Sequence, residues 1–267
     1  MGSGISQAFD LSGNVAIVTG AAQGLGASIA RALALHGATA VLVDLEQAAV
    51  EAAVARMKTA DAGLCLHAAE CDVRDRQQVT ECVTAVHDKF GRVDTLVNNA
   101  GIHRRVDPLD YVQEDIDAIL AVNLMGCFHM SGAVGALMVK QESGSVINVS
   151  ALGGGLTGLG RSGSAYGMSK GGIVALTRDL AAEWGRYGVR VNALAPGWIR
   201  TPMTRALQED PVKAARVLER VPLGRWGTAD DVAGAAVFLA SDASGYISGH
   251  TIPVDGGAAN VIAISND

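Results

Sequence analysis

The chain has 267 residues, of which 49% are hydrophobic, and a formal charge of -6; this length suits one large domain with a buried core. The acidic balance, without any Lys/Arg cluster, argues against binding to nucleic acid or to an anionic membrane. The apolar runs are strand-sized, and none approaches the roughly 18 to 20 residues that a membrane span needs.

The N-terminal segment "MGSGIS" lacks the basic and apolar regions of a signal peptide, so we expect residues 1–10 to be a disordered or tag-derived tail. A cytoplasmic location follows as the default. The four cysteines show neither CxxC spacing nor nearby paired histidines, and we therefore predict no metal site.

Short β-branched runs then alternate with segments of helical periodicity. The predicted strands are "NVAIVTG", "TAVLVD", "LCLHAAECD", "TLVNNAG", "GSVINVS", "RVNALAPG" and "TIPVDGG", and the predicted helices cover residues 25–36, 47–57, 77–90, a long stretch through 123 to 140, 164–184 and 229–240. Strands that are apolar on both faces are typical of a parallel sheet covered by helices on two sides. We predict a doubly wound α/β fold of about seven strands, in a single domain over residues 11–267.

Residues 201–225 insert polar helical material between the sixth strand and the next helix. The insert follows the carboxyl end of a strand, where α/β sheets bind ligands, which favours a mobile substrate lid. A surface excursion is the alternative.

A glycine-rich turn, "TGAAQGLG", follows the first strand and opens a helix. Glycines at this turn allow close approach of the backbone, and the free N–H groups of the helix favour a pyrophosphate. The candidate cofactor contacts are Gly20, Gln23, Gly24, Leu25 and Gly26.

The second strand ends at Asp44. A carboxylate at this point accepts hydrogen bonds from a ribose diol and repels a 2′-phosphate. Because no arginine stands at Gln23 or beside Asp44 to neutralise that phosphate, we predict NAD as the cofactor and consider NADP less favoured.

These motifs resemble the short-chain dehydrogenase/reductase (SDR) family, with a Rossmann-type fold, from about residue 11 to residue 257. The matching sequences are "TGAAQGLG", "CDV" at 71–73, "NNAG" at 98–101, Asn123 in "VNL", "YGMSK" at 166–170 and "PGWIRT" at 196–201. By this resemblance Asp72 and Val73 hold the adenine, and Asn99 and Gly101 lie along the cofactor. The same resemblance places Pro196, Gly197, Ile199 and Thr201 around the nicotinamide.

Tyr166 and Lys170 lie four residues apart in a predicted helix, which places them on one face about 5 to 6 Å apart. An ammonium beside a phenol favours phenolate and lowers its pKa toward the working range of a general acid/base. The resemblance makes Tyr166 the residue that exchanges the proton during hydride transfer. It also assigns Lys170 to the ribose and Asn123 to a water relay.

The helper hydroxyl departs from the family pattern, because aligning on Asn148 places the usual serine at Ala151. We keep three explanations open: Ser150 turns in through a bulge, Ala151 is a Ser→Ala variant, or Ser162 or Ser164 substitutes. Ser150 is the serine candidate among the catalytic residues.

The segment "NNAGIHRR" together with "VPLGRWG" at 221–227 resembles gluconate and deoxygluconate dehydrogenases, and paired arginines suit a sugar-acid carboxylate. Alternatively, the arginines are solvated or pair with Asp107 and Asp110. The substrate-side candidates are His103, Arg104, Gly153, Trp198 and Met203.

Two other functions remain open: a reductase of bulkier hydrophobic ketones, and a nucleotide-binding regulator that has lost catalysis. The family resemblance also implies a homotetramer.

Overall fold

The computed structural model describes residues 4–160 and 163–259. Seven parallel strands form one sheet in the order β3-β2-β1-β4-β5-β6-β7. Their bounds are β1 Val15–Thr19, β2 Thr39–Asp44, β3 Leu66–Glu70, β4 Thr95–Asn98, β5 Gly144–Val149, β6 Val189–Pro196 and β7 Thr251–Val254. The predicted doubly wound sheet of seven strands is confirmed.

Helices cover both faces of this sheet. Their bounds are α1 Gly24–Leu35, α2 Gln47–Ala60, α3 Arg76–Phe90, α4 Gln113–Leu120, α5 Gly126–Gln141, α6 Ser164–Trp184, α7 Arg205–Gln208, α8 Pro211–Leu218 and α9 Ala229–Ala240. A π-helical turn, Ala121–Met125, joins α4 to α5.

The sequence of β1 shows why the sheet is covered on two sides. All five of its residues are buried. Ala16 and Val18 pack into a core cluster with α1 and α9, whereas Val15 and Ile17 pack into a second cluster with α3 and α5. Because successive side chains in a strand point to opposite faces, an unbroken apolar run supplies both layers.

The stretch Gln113–Gln141 corrects one expectation from the sequence. It is the one helical stretch within residues 4–160 and 163–259 that is long and apolar enough to cross a membrane by length and composition, and 44% of its apolar window is buried in the protein. Met130, Val134 and Met138 pack on the sheet with Val146. The apolar character of this stretch therefore serves the packing of α5 on β5.

Part of the expected N-terminal tail is folded. Ile5–Phe9 form a 3-10 helix, and the Phe9 ring lies 6.3 Å from the ring of Phe238 on α9. The expectation of a disordered tail is therefore wrong for this segment.

The insert at residues 201–225 contains the predicted helical material, a 3-10 turn Pro202–Thr204 followed by α7 and α8. Its buried residues, Val217 and Val221, form a small separate core with Trp226. The role of this insert as a lid stays a prediction.

Candidate active site

A cavity of about 1480 Å³ opens at the carboxyl ends of the strands, where the chain order reverses between β1 and β4. Parallel sheets bind ligands at such a switch point, and this volume exceeds that of an ordinary small-molecule pocket. The predicted residues that line it are Gly20, Gln23, Gly24, Leu25, Asp44, Asp72, Val73, Asn99, Gly101, His103, Arg104, Ser150, Gly153, Tyr166, Lys170, Pro196, Gly197, Trp198, Ile199, Thr201 and Met203.

The glycine-rich turn has the backbone geometry that its sequence predicts. Gly20 and Gly24 have φ of 63° and 60°, a region in which other residues are strained. A Cβ at Gly26 would collide with the carbonyl oxygen of Gly20, so Gly26 shapes the turn from behind rather than lining the cavity. The N-cap residue Gln23 makes no side-chain hydrogen bond to α1, which leaves the first N–H groups available to an anion.

The carboxylate of Asp44 is held against this turn. It accepts hydrogen bonds from the backbone N–H of Ala22 at 2.9 Å and of Leu45 at 2.8 Å. The guanidinium of Arg56, on α2, donates to the carbonyl oxygen of Ala22 at 3.3 Å. Arg56 was not predicted from the sequence, because it lies 12 residues beyond Asp44 in the chain and approaches only through the packing of α2.

Asp72, which is predicted to hold the adenine, forms a paired contact with Arg74. The guanidinium donates to the carboxylate through Nε at 2.9 Å and Nη2 at 2.6 Å, and Arg74 lowers the pKa of Asp72. Arg74 also lines the cavity, although the sequence analysis did not select it. An adenine that donates a hydrogen bond to the Asp72 carboxylate therefore competes with the Arg74 guanidinium for its oxygens.

The "NNAG" turn is fixed to the glycine-rich turn. The Asn99 side chain donates to the carbonyl oxygens of Thr19 and Gly20 at 2.9 and 3.0 Å. The Thr19 hydroxyl accepts from the N–H groups of Asn99 and Ala100, both at 3.0 Å. Asn99 thus satisfies backbone groups and shapes the cavity floor at once.

Tyr166 and Lys170 project from one face of α6 into the cavity. The Lys170 Nζ lies 5.7 Å from the centre of the Tyr166 ring and donates to the Val149 carbonyl oxygen at 2.7 Å. Burial lowers the pKa of Lys170 to about 8 and raises the pKa of Tyr166 to about 12. The expected lowering of the tyrosine pKa is therefore wrong for the protein alone, because burial disfavours the charged phenolate.

Asn123 lies in the π-helical turn, is 1% exposed and does not line the cavity directly. Its side-chain oxygen accepts from the Ile102 N–H at 2.8 Å, and its amide donates to the Ile102 carbonyl at 3.0 Å and to Ser169 at 3.1 Å. These contacts tie the turn after β4 to α6, and the water relay stays a prediction.

The Ser150 hydroxyl is already engaged. It donates to the Lys170 carbonyl oxygen at 2.9 Å, Ser150 is 2% exposed, and a Cβ at Gly155 would collide with its Oγ. Ala151 lines the cavity beside it. This arrangement does not agree with Ser150 as the helper hydroxyl, because the hydroxyl would have to give up its hydrogen bond to α6. Ser162 lies outside the described residues.

In the segment predicted to surround the nicotinamide, β6 ends at Pro196, and Gly197 donates its N–H to the Val254 carbonyl at 3.0 Å. A side chain at Gly197 would come within 2.8 Å of the Asp255 backbone. Thr201 and Thr204 form the reciprocal hydrogen bonds that cap the 3-10 turn. Ile199 is 4% exposed and its backbone bridges to Gly227.

On the substrate side, Arg104 pairs with Asp115 rather than with Asp107 or Asp110. Arg105 also lines the cavity and forms no ion pair within the described part of the chain. The ring of His103 meets the Tyr166 ring edge to face, with 4.9 Å between their centres. His103 was predicted as a substrate-side residue, and its contact with Tyr166 was not predicted.

Gly153, Trp198 and Met203 complete that wall. A Cβ at Gly153 would come within 2.7 Å of the Leu159 side chain, and Trp198 packs on the small core of the insert. Met203 is 55% exposed. Among the described residues, no group of three or more His, Cys, Asp or Glu side chains is placed to hold a metal ion.

Comparisons with known proteins show the family of the chain. A family model described as enoyl-(acyl carrier protein) reductase matches residues 20–259. The chain is 39% identical over 247 residues to a 3-oxoacyl-(acyl-carrier-protein) reductase of Thermotoga maritima, covering 92% of this chain and 98% of that protein. It is 36% identical over 250 residues to gluconate 5-dehydrogenase of Gluconobacter oxydans, covering 93% and 96%.

Among solved structures, a gluconate 5-dehydrogenase from Burkholderia cenocepacia in complex with NADP and tartrate superposes with a TM-score of 0.90 at 36% identity, covering 96% of this chain and 99% of that one. The chain belongs to the short-chain dehydrogenase/reductase family, and it is an oxidoreductase acting on CH–OH groups. Several of the relatives to which it is similar are gluconate or deoxygluconate dehydrogenases by name.

Proposed function

We propose that the protein transfers hydride between NAD(H) and a secondary alcohol or ketone of a sugar acid or polyol, with Tyr166 as the acid/base. The observation that carries this proposal is that Tyr166 and Lys170 face the same cavity as the glycine-rich turn and Asp44. Acid/base and nucleotide-binding groups that share one cavity support hydride transfer coupled to proton transfer.

The residues of the chain have separable tasks in this reaction. The nicotinamide, when bound, supplies or accepts the hydride. In the reducing direction, Tyr166 donates its hydroxyl proton to the developing alkoxide, for which a raised pKa keeps the phenol protonated at neutral pH. Lys170, charged below about pH 8, stabilises the phenolate that this step leaves behind.

The groups around the cavity fit a nicotinamide dinucleotide. The uncapped first turn of α1 and the left-handed glycines suit a pyrophosphate, and the Asp44 carboxylate is held rigidly at the end of β2. Several solved relatives contain NADP by their titles. Our proposal of NAD depends on the negative charge of Asp44 beside the ribose.

Asp44→Ala tests this cofactor choice. We expect the wild-type protein to prefer NADH, and the variant to lose about 10-fold to 100-fold of that preference, because a like charge beside a phosphate costs several kcal/mol. Arg56 would remain near the turn to attract a 2′-phosphate. The measurement is kcat/KM for both cofactors, with Asp61→Ala, at the C-terminal end of α2 and outside the cavity, as the matched control. A wild-type preference for NADPH would contradict the assignment.

Arg105 is our candidate for the carboxylate of a sugar acid, since Arg104 is committed to Asp115. We expect Arg105→Met to raise KM for gluconate by about 10-fold to 100-fold, the loss of one charge-assisted hydrogen bond, and to leave KM for a neutral polyol unchanged. Arg104→Met is the matched control at the adjacent position. An equal effect of both variants, or an equal effect on acid and polyol, would argue against this role.

A reductase of bulkier hydrophobic ketones is the second candidate. It is favoured by Leu152, Leu159 and Leu207, which line the substrate end of the cavity. Similarity to the 3-oxoacyl-(acyl-carrier-protein) reductase of Thermotoga maritima supports this second candidate.

One panel distinguishes the candidates: NADH oxidation or NAD reduction with gluconate, its keto acids, galactitol and hydrophobic secondary alcohols and ketones. We expect turnover with the sugar acids or polyols. Turnover with the hydrophobic compounds alone would favour the second candidate. Binding of NADH without turnover on any compound would favour the regulator.

A further inference from the structure

The cavity wall lacks a hydroxyl at position 151, where the family pattern places one. Ala151 lines the wall and offers no hydrogen-bond donor, while the neighbouring Ser150 hydroxyl is bound to α6. A carbonyl substrate reduced by Tyr166 benefits from a second donor, because developing charge on its oxygen is stabilised by preorganised hydrogen bonds.

The other described hydroxyls of the wall are poorly placed for this contact. Ser164 precedes Tyr166 by two residues on the same helix, and side chains two apart do not face the same direction. The Thr204 hydroxyl donates to the Ile199 carbonyl at 2.7 Å, and Thr201 is engaged with Thr204 in the cap of the 3-10 turn.

His103 is the donor that lies against Tyr166. Its ring centre is 4.9 Å from that of Tyr166, with an interplanar angle of 66°, and it belongs to the cavity wall. Within the described residues its ring nitrogens form no hydrogen bond of the kind that holds His36, His129 and His250. The imidazole is therefore oriented by the tyrosine ring, and its nitrogens are available to a ligand.

The surroundings also favour the neutral form of this imidazole. Burial and the charge of Arg105 both lower the pKa of His103. A neutral imidazole has one N–H donor and one acceptor nitrogen, so it donates a hydrogen bond without giving up a proton.

We infer that the N–H of His103 donates a hydrogen bond to the same substrate oxygen that receives the Tyr166 proton, which makes His103 a catalytic residue in place of the absent serine. This inference rests on the proposed function. The step balances without His103: hydride reaches the carbonyl carbon, the Tyr166 proton reaches the oxygen, and the imidazole keeps its proton.

Two substitutions separate hydrogen bonding from packing. His103→Phe keeps an aromatic ring against Tyr166 and removes the donor, and we expect kcat for ketone reduction to fall about 100-fold, the effect of losing one such donor. His103→Gln keeps an N–H and is expected to recover at least about tenfold of that loss. His87→Phe, the same change on α3 outside the cavity, is the matched control.

Introducing a serine at position 151 provides the decisive test. In His103→Phe combined with Ala151→Ser, we expect kcat to return to within about tenfold of the wild type, because two donors that serve one atom are not additive. A role of His103 in packing alone predicts no such rescue. NADH affinity, measured by its fluorescence, is expected to be unchanged in all variants.

The outcomes distinguish this inference from the proposed function. No turnover by the wild type on any substrate of the panel would refute the proposed function and the inference with it. If the wild type turns over and the kcat of His103→Phe is within about threefold of the wild-type kcat, the inference alone is overturned, because the loss of one donor lowers kcat much more. A loss of kcat in His103→Phe that Ala151→Ser does not recover would also overturn it.

Discussion

Tyr166→Phe is expected to lower kcat about 1000-fold, within the range that a positioned general acid contributes, while NADH binds as in the wild type. The change deletes only the hydroxyl, since the ring contacts with His103 and Lys170 need no oxygen. Phenylalanine also fits the buried site without an unsatisfied polar atom. The loss is therefore expected in kcat rather than in stability or cofactor affinity.

The measurement is single-turnover reduction at saturating NADH, with NADH affinity measured by fluorescence and stability by denaturant unfolding. Tyr187→Phe is the matched control, because Tyr187 lies in the 3-10 turn after α6 and outside the cavity. A kcat within tenfold of the wild type, against the 10²-fold to 10⁴-fold expected for a general acid, would show that the proton comes from elsewhere.

Lys170→Met is expected to abolish most activity without loss of stability. Burial lowers the Lys170 pKa from 10.5 to about 8. This shift means that the buried ammonium destabilises the folded state by roughly 3 kcal/mol. Loss of the hydrogen bond to Val149 costs about 1 to 3 kcal/mol in return. The free energy of unfolding at pH 7 should therefore be unchanged or up to about 2 kcal/mol higher in the variant.

The pH dependence of stability gives the sharper readout. Between about pH 8 and 10.5 the folded lysine has released its proton while the unfolded one still holds it, so the unfolded state binds more protons and stability rises with pH. The difference in unfolding free energy between the wild type and Lys170→Met should show this rise. A difference that is flat over this window, or a variant that is clearly less stable at pH 7, would contradict the assigned burial cost.

The fold was predictable because its signal is periodic. The unbroken apolar runs of β1 and β2 require cover on both faces, and the alternating helical segments provide it. The expectation that no apolar stretch is long enough to span a membrane was wrong for Gln113–Gln141. A helix that packs on a sheet needs the same apolar composition as a helix in lipid. The homotetramer and the cytoplasmic location stay predictions.

The site was predictable where a motif fixes the backbone and not where distant side chains meet. Gly20, Gly24 and Asp44 follow from the strand-to-helix turn, and Tyr166 and Lys170 from helical spacing. The pairs Arg104–Asp115, Arg56–Ala22 and His103–Tyr166 depend on packing between elements.

The prediction of a lowered Tyr166 pKa was wrong for a related reason. Helical spacing places Lys170 near Tyr166, but the pKa of Tyr166 follows from its burial, which depends on the loops that cover α6. Sequence spacing carries no information about that desolvation.

Transfer of deuteride from NADH that carries deuterium at both C4 positions of the nicotinamide tests the central claim most directly. The protein is incubated with the labelled cofactor and a keto acid of gluconate, and the product is analysed by mass spectrometry. We predict a hydroxy acid that carries a single deuterium at the new carbinol carbon, formed by the wild type and, within the same time, not by Tyr166→Phe. Unlabelled product, or equal labelling by both proteins, would contradict direct hydride transfer with Tyr166 as the acid.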